Sequence, residues 1–219
     1  MKQKVKVWDL PTRLFHWLLV LSVGFMWYSA QAGGGMLVWH LRCGLLVAGL
    51  IVFRLCWGLW GSDTARFSQF VRGPSSIRRY LQGSLTENEQ PGHNPLGALM
   101  VIALIAAVLL QATTGLFAAD ENTFLYHGYL NGWLENGGKP FRRIHVNFFN
   151  LLALLAGLHI AAVLFYRLFK KQDLITPMIT GLKEWQGNMP SLRFAGIGAF
   201  VAALAVAAAA VCLIWLLRK

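Results

Sequence analysis

Five apolar stretches, each about as long as a membrane is thick, decide what this chain can become. They run from Thr12 to Ala30, Leu37 to Trp60, Pro95 to Ala118, Arg143 to Phe169 and Leu192 to Leu217. A helix needs ~20 residues to cross a hydrocarbon core of ~30 Å. A segment in lipid must also satisfy its own backbone groups, which selects helices over single strands. Composition agrees, with 56% of residues hydrophobic and only 13% charged. The polar remainder is too short for a separate soluble domain. The expected fold is therefore an all-α integral membrane bundle.

The net charge of +11 is a topology signal before it is anything else. Lys2, Lys4, Lys6 and Arg13 precede or open the first span. Arg66, Arg72, Arg78 and Arg79 follow the second, and Arg167, Lys170, Lys171, Lys183 and Arg193 follow the fourth. The connection from Gln31 to Met36 carries no Lys or Arg. In the connection from Ala119 to Arg143, Lys139, Arg142 and Arg143 are set against Asp120, Glu121 and Glu135. The positive-inside rule places the N-terminus in the cytoplasm, and five crossings leave Arg218 and Lys219 outside. Nucleic acid is not needed as a partner. The N-terminal lysines, the first span and Ala30-Gln31-Ala32 mimic a signal peptide, but the apolar run is long for one and contains His16 and Trp17. An uncleaved first helix is expected.

Several chemistries have no support. Cys43 and Cys56 fall in the second stretch and Cys212 in the fifth, with no C-x-x-C-H for covalent haem attachment and no paired C-x-x-C for zinc or iron–sulfur. Buried cysteines of this kind act as small hydrophobes. There is no Gly-rich phosphate loop, G-x-S-x-G or H-E-x-x-H, so hydrolase and nucleotide readings fall away.

Histidines inside the spans carry the functional signal. His145 and His159 are 14 residues apart on one apolar stretch. At about 100° per residue they share a face to within about 40°, and their levels differ by ~21 Å. One helix thus offers an imidazole near each face of a membrane. His16 lies near the cytoplasmic end of the first span and His40 near the outer end of the second. Depth pairs His16 with His159 at the inner level and His40 with His145 at the outer. Four imidazoles at two levels make two bis-histidine sites, one above the other. Ionisable groups within spans mark function by default. A proton-coupled transporter is the competing use of the same residues, and a lone histidine at a helix end is often only a cap.

The local text resembles a known family. VWDLPTRLFHWLLV, FRLCWGLWG followed by ARFSQFVRGP, GHNPLGALM with LLQATTGLF, and IHVNFFNLLALLAGLH with LITPMITGLK are similar to bacterial cytochrome b561 and nickel–iron hydrogenase cytochrome b subunits. The resemblance runs from Val5 to Lys183. It implies a four-helix core holding two b-type haems through His16, His40, His145 and His159 as axial ligands. It also implies a subunit of the bacterial inner membrane that passes electrons between quinone and a periplasmic redox protein, a c-type cytochrome or a hydrogenase-like partner. An oxidase-like enzyme that takes electrons from superoxide or another small reductant is the first rival, and a haem-free anchor or transporter the second. The four-helix form lacks the last span, so residues 1–183 are expected to form the cytochrome domain and 184–219 a connector and a fifth helix for packing or partner contact.

Further candidates surround these ligands. Haem propionates in low dielectric call for arginine partners, and Arg54, flanked by apolar residues and on the face of His40, is the strongest. Arg13 and Arg42 are weaker candidates that would otherwise snorkel. Gly44 and Gly157 give room for a porphyrin or for helix packing. Gln111, Thr113 and Thr114 suit interhelical hydrogen bonds or a cofactor contact. His93 sits at the inner mouth of the third helix, where it would shuttle a quinol proton or meet headgroups, and His127 is read as a solvated loop residue. Arg66 to Leu81 alternates aromatics with arginines, as surface-lying helices do. The outer loop from Ala119 to Arg143 is the expected docking surface for a soluble partner.

Overall fold

The computed structural model describes residues 3–85, 91–119, 126–134 and 138–218. Lys2, Asp120, Glu121, Glu135 and Lys219, which entered the charge argument, lie outside the described residues, as does part of the expected docking loop. Among the described residues, five helices are long and apolar enough to cross a membrane: α1 (Leu10–Ala32), α2 (Met36–Trp60), α5 (Pro95–Phe117), α6 (Lys139–Leu168) and α8 (Ile197–Leu216). Between them lie the short helices α3 (Phe67–Phe70), α4 (Pro74–Leu81) and α7 (Ile175–Thr180) and the strands β1 (Gln3–Lys6) and β2 (Leu182–Trp185). The molecule is an all-α membrane bundle with one small antiparallel ladder.

The chain divides into two compact units, and each long helix contributes residues to both. The first comprises residues 1–15, 54–103 and 156–203, the second residues 16–53, 104–155 and 204–219.

The first unit is tied by polar contacts around the helix starts. β1 pairs with β2 in the register Gln3 to Trp185 and Lys6 to Leu182. Gly181 ends α7 at φ +84°, a left-handed value that suits glycine. Its carbonyl takes the Val7 and Trp8 N–H groups at 2.8 and 3.2 Å. Asp9 caps α1 by accepting the Thr12 N–H at 2.8 Å, and its other oxygen accepts Trp57 Nε1–H at 3.0 Å. Asn94 caps α5 through the Gly97 N–H at 2.7 Å, with Pro95 in the first turn. Asn94 also donates to the Tyr80 and Tyr166 hydroxyls at 3.1 and 3.0 Å, and those hydroxyls bond to each other. Burial first, then this bond to Tyr166, pushes the Tyr80 phenol above its ordinary pKa.

Two boundaries depart from the sequence reading for identifiable reasons. The fifth long helix starts at Ile197, not Leu192. The Arg193 N–H is held by Asp63 Oδ2 at 2.9 Å and the Ala195 N–H by Ser62 Oγ at 3.0 Å, which keeps that segment out of the helix. The Asp63 carboxyl stays below its usual pKa although burial acts to raise it, because the Arg193 N–H and the Arg66 guanidinium both bond to it. α6 starts at Lys139, before Arg143, with Pro140 in its first turn. The surface segment from Arg66 to Leu81 forms two helices, because Gly73 and Pro74 break the first and start the second.

In the second unit, Gly33 and Gly34 turn the chain from α1 to α2 at φ +62° and +51°. The segment after α5 folds back on its C-terminal carbonyls. Gly128 and Leu130 donate to Ala118 and Leu116 at 2.9 and 2.8 Å, and Asn131 Nδ2 donates to Phe117 at 3.0 Å. α8 packs tightly on α2, since a Cβ at Gly49 would stand 2.8 Å from Val211 Cγ2. Trp133 Nε1–H reaches the Leu217 carbonyl at 2.6 Å, and Arg218 lies over the Trp215 ring at 3.6 Å.

Candidate functional site

The second unit brings two imidazoles together. His40, on α2, and His145, on α6, have ring centroids 6.1 Å apart and planes 87° apart. Each is fixed by the same device on a different neighbouring helix. His40 Nδ1 lies 3.0 Å from the Met26 carbonyl of α1 and 3.3 Å from the hydroxyl of Ser29, three residues on. His145 Nδ1 lies 2.9 Å from the Gln111 carbonyl of α5 and 3.4 Å from the hydroxyl of Thr114, again three residues on. Ser29 Oγ–H donates to the same Met26 carbonyl at 3.1 Å, and Thr114 Oγ–H to the Leu110 and Gln111 carbonyls at 2.8 and 3.0 Å.

A carbonyl only accepts, so Nδ1 must carry the proton in both rings, which leaves each Nε2 as a lone-pair donor. Metal-ligating histidines are held this way, with the far ring nitrogen on a carbonyl. Gly115 leaves the room His145 needs, because a Cβ there would meet its Cε1 at 2.8 Å. The Gln111 amide donates to the His145 carbonyl at 2.9 Å and makes a longer contact of 3.5 Å to His145 Nε2, the weaker of its two bonds and the one a metal would displace.

The donor set discriminates between metals. Among the described residues no group of three or more His, Cys, Asp or Glu could hold an ion, so a zinc-type tetrahedral set is not offered. Metal–imidazole bonds are about 2 Å. With half a ring on each side, a 6.1 Å centroid separation suits two ligands on opposite sides of one metal. The other positions are left for a planar macrocycle, so these residues fit a b-type haem.

The first unit holds a different cluster. Arg54, on α2, is only 3% exposed, and its guanidinium stacks 5.0 Å above the Phe67 ring. Phe67 is 5.8 Å from Phe70, Phe70 is 4.6 Å from His93, and His93 meets Trp8 edge-on at 4.8 Å. Gly58 admits Phe67 to this stack, since a Cβ there would stand 2.1 Å from its ring. His93 precedes α5, and its pKa is pushed down to about 3, first by burial and then by the charges of Arg54 and His159. His159 is half-buried on α6, within electrostatic reach of His93.

The remaining candidates fall as follows. His16 is half-buried on α1, edge-on to Trp17 at 4.9 Å. Arg13 donates to the Ile179 carbonyl and Arg42 stacks 4.9 Å from Trp39. Gly44 leaves space beside Met26, Gly157 faces open space, and Thr113 is exposed. His127 is half-buried. The sequence reading missed Met26 and Ser29. The only signal was a hydroxyl inside a span, 0% exposed in the structure.

A multi-pass helical membrane protein with opposed, carbonyl-anchored imidazoles has the architecture of a membrane cytochrome. The model of the family described as prokaryotic cytochrome b561 matches residues 7–181, and the chain belongs to that family. It is accordingly a membrane b-type cytochrome of electron transfer. Comparison with curated proteins and with solved structures finds no match.

Proposed function

We propose that this cytochrome carries two b-type haems and moves electrons across the bacterial inner membrane between quinone and a periplasmic redox protein. The observation that carries the reading is the His40–His145 pair, with both Nδ1 atoms bound to carbonyls and both Nε2 atoms left for iron. The second haem, on His16 and His159, rests on their matched depth in the sequence. Bound haem supplies a one-electron iron couple in an apolar setting. The chain supplies ligation, fixed ring tautomers and exclusion of water. Arg54 sets the potential of the His159 haem by facing a propionate. Residues 1–183 form the cytochrome domain, and 184–219 add a helix that seals α2. The lysine and arginine distribution puts the N-terminus in the cytoplasm and the C-terminus in the periplasm. The c-type cytochrome or hydrogenase-like partner docks on the outer loop.

The test is a reduced-minus-oxidised spectrum of purified protein with haem quantified per chain, followed by reduction with quinol in membrane vesicles. Two low-spin b-type signals, both reduced by quinol, are expected. One haem per chain would remove the His16/His159 site, and none would end the cytochrome reading of these residues. A reduced spectrum obtained with superoxide but not with quinol would replace quinol as the donor.

A further inference from the structure

One residue of α5 meets both ring nitrogens of His145 and its backbone as well. The Gln111 carbonyl lies 2.9 Å from Nδ1, and the Gln111 amide donates to the His145 carbonyl at 2.9 Å, with its longer contact of 3.5 Å on Nε2. Thr114 Oγ1 stands 3.4 Å from Nδ1, and Gly115 lies against the ring edge, where a Cβ would meet Cε1 at 2.8 Å. The amide is held by its donor end alone, for Gln111 Oε1 is buried with no hydrogen-bond partner. A buried polar atom left unmet costs ~1–3 kcal/mol, so the bond to the His145 carbonyl is kept against a penalty at the other end of the amide. His40 is held differently: both of its hydrogen-bond contacts, to Met26 and Ser29, fall on Nδ1. A ring fixed at one nitrogen can pivot about that bond. A ring whose N–H and backbone carbonyl are both tied to one residue cannot. The two ring planes stand 87° apart.

We propose that Gln111 is a positioning residue that holds the His145 ring crosswise to His40 and so sets the potential of the haem they ligate. This rests on the His40/His145 site of the reading above. With iron on Nε2 the 3.5 Å contact is given up and the two 2.9 Å bonds remain, so the clamp survives ligation. Each imidazole donates π density into the one iron d orbital that extends perpendicular to its ring plane. Parallel rings load the same orbital and split the dπ pair, whereas crossed rings load one each and leave the pair nearly degenerate. Ferric iron carries a hole in that pair and gains most from the splitting. Crossed rings therefore favour it less and raise the potential. Outer partners that orient a ligand ring are a lever the protein holds over the metal.

The experiment is electron paramagnetic resonance and redox titration of the purified holoprotein, with haem counted per chain, for the wild type, Gln111→Met and Gln111→Leu. His40→Ala identifies which signal belongs to the His40/His145 haem. In the wild type that signal should be strongly anisotropic, with one large leading g value, as a nearly degenerate dπ pair requires. Both Gln111 variants should keep the wild-type haem count, move that signal towards a rhombic spectrum and lower the potential of the same haem. The reduced-to-oxidised equilibrium should shift by a few fold, below the tenfold that corresponds to about 59 mV for one electron. The His16/His159 haem should change in neither measurement. A rhombic wild-type signal overturns the crossed planes. An unmoved leading g value in the variants overturns the role of Gln111 even if the potential falls, since that fall would come from the lost amide dipole. Where one variant loses the haem, the other decides. Loss from both overturns the proposal, because Gln111 would then hold the ligand in place, not turn it. A wild-type protein with no signal that His40→Ala removes defeats the His40/His145 reading itself.

Discussion

His40 and His145 draw every anchoring contact of an imidazole ligand from the protein itself, whereas Arg54 and His93 keep buried nitrogens that no described protein group meets. The contrast separates two ways of building a cofactor site. In the second unit, the Met26 and Gln111 carbonyls and the Ser29 and Thr114 hydroxyls fix ring orientation and tautomer in advance. Binding there meets little reorganisation, as preorganised ligands require. In the first unit the rings of Phe67, Phe70, His93 and Trp8 pack on one another, while Arg54 Nη1 and His93 Nδ1 meet no acceptor or donor among the described residues.

The sharpest way to break the comparison is to remove ligands. His40→Ala and His145→Ala should each abolish the same low-spin signal and spare the other, while His16→Ala and His159→Ala should each abolish the second. The effect is all or none per haem, read by electron paramagnetic resonance with haem counted. If His16 and His145 behaved as partners, the depth pairing and the topology beneath it would both be wrong.

Haem depletion should then separate the two regions. Residues 54–70 and 91–94 should lose amide exchange protection by about tenfold or more, since an unmet buried cation costs more than about 1.4 kcal/mol, a tenfold factor. Residues 26–40 and 111–115, whose bonds are internal, should change much less. Equal loss in both regions would dissolve the distinction.

Gly115→Ala probes the prepared site from its tight side. The new Cβ would press on His145 Cε1 at 2.8 Å, while the Gln111 carbonyl, one turn earlier on the same helix, holds the ring by Nδ1. Overpacking of this kind costs ~1–3 kcal/mol, so affinity for the His40/His145 haem should fall by about an order of magnitude in a haem-transfer assay. Gly198→Ala, on α8 outside the four-helix core and with nothing within reach of the new Cβ, should leave haem binding unchanged.

Much of this was legible in the sequence, and the failures have physical causes. The five spans follow from length and hydropathy, because lipid allows a lone segment no alternative to a helix. His40 and His145 emerged as a pair from depth alone. The Met26 and Gln111 carbonyls were invisible, since every residue has one and only the fold selects which faces a ring. The β1–β2 ladder was missed although Lys4, Val5, Lys6 and Val7 alternate with period two, because a strand of four residues signals weakly beside a helix of 23. The late start of α8 could not be read either. It depends on Ser62 and Asp63, 133 and 130 residues earlier, gripping Ala195 and Arg193.

The smallest predicted effect tests whether the paired carbonyl-and-hydroxyl device is shared between its two components. In both rings the carbonyl is the closer partner of Nδ1, at 3.0 and 2.9 Å, and the hydroxyl stands back at 3.3 and 3.4 Å. Ser29→Ala and Thr114→Ala therefore remove the secondary contact and leave the tautomer fixed. Each also releases the hydroxyl's own hold on that carbonyl, which then binds the imidazole N–H more strongly. A stronger acceptor makes the ligand more electron-rich and favours ferric iron. The two losses oppose, and a neutral hydrogen bond is worth ~0.5–1.5 kcal/mol at most. Both haems should stay bound, with the potential of the His40/His145 haem moving by less than in Gly115→Ala or in either ligand variant. Loss of haem from Ser29→Ala would show that the hydroxyl, not the carbonyl, orients His40.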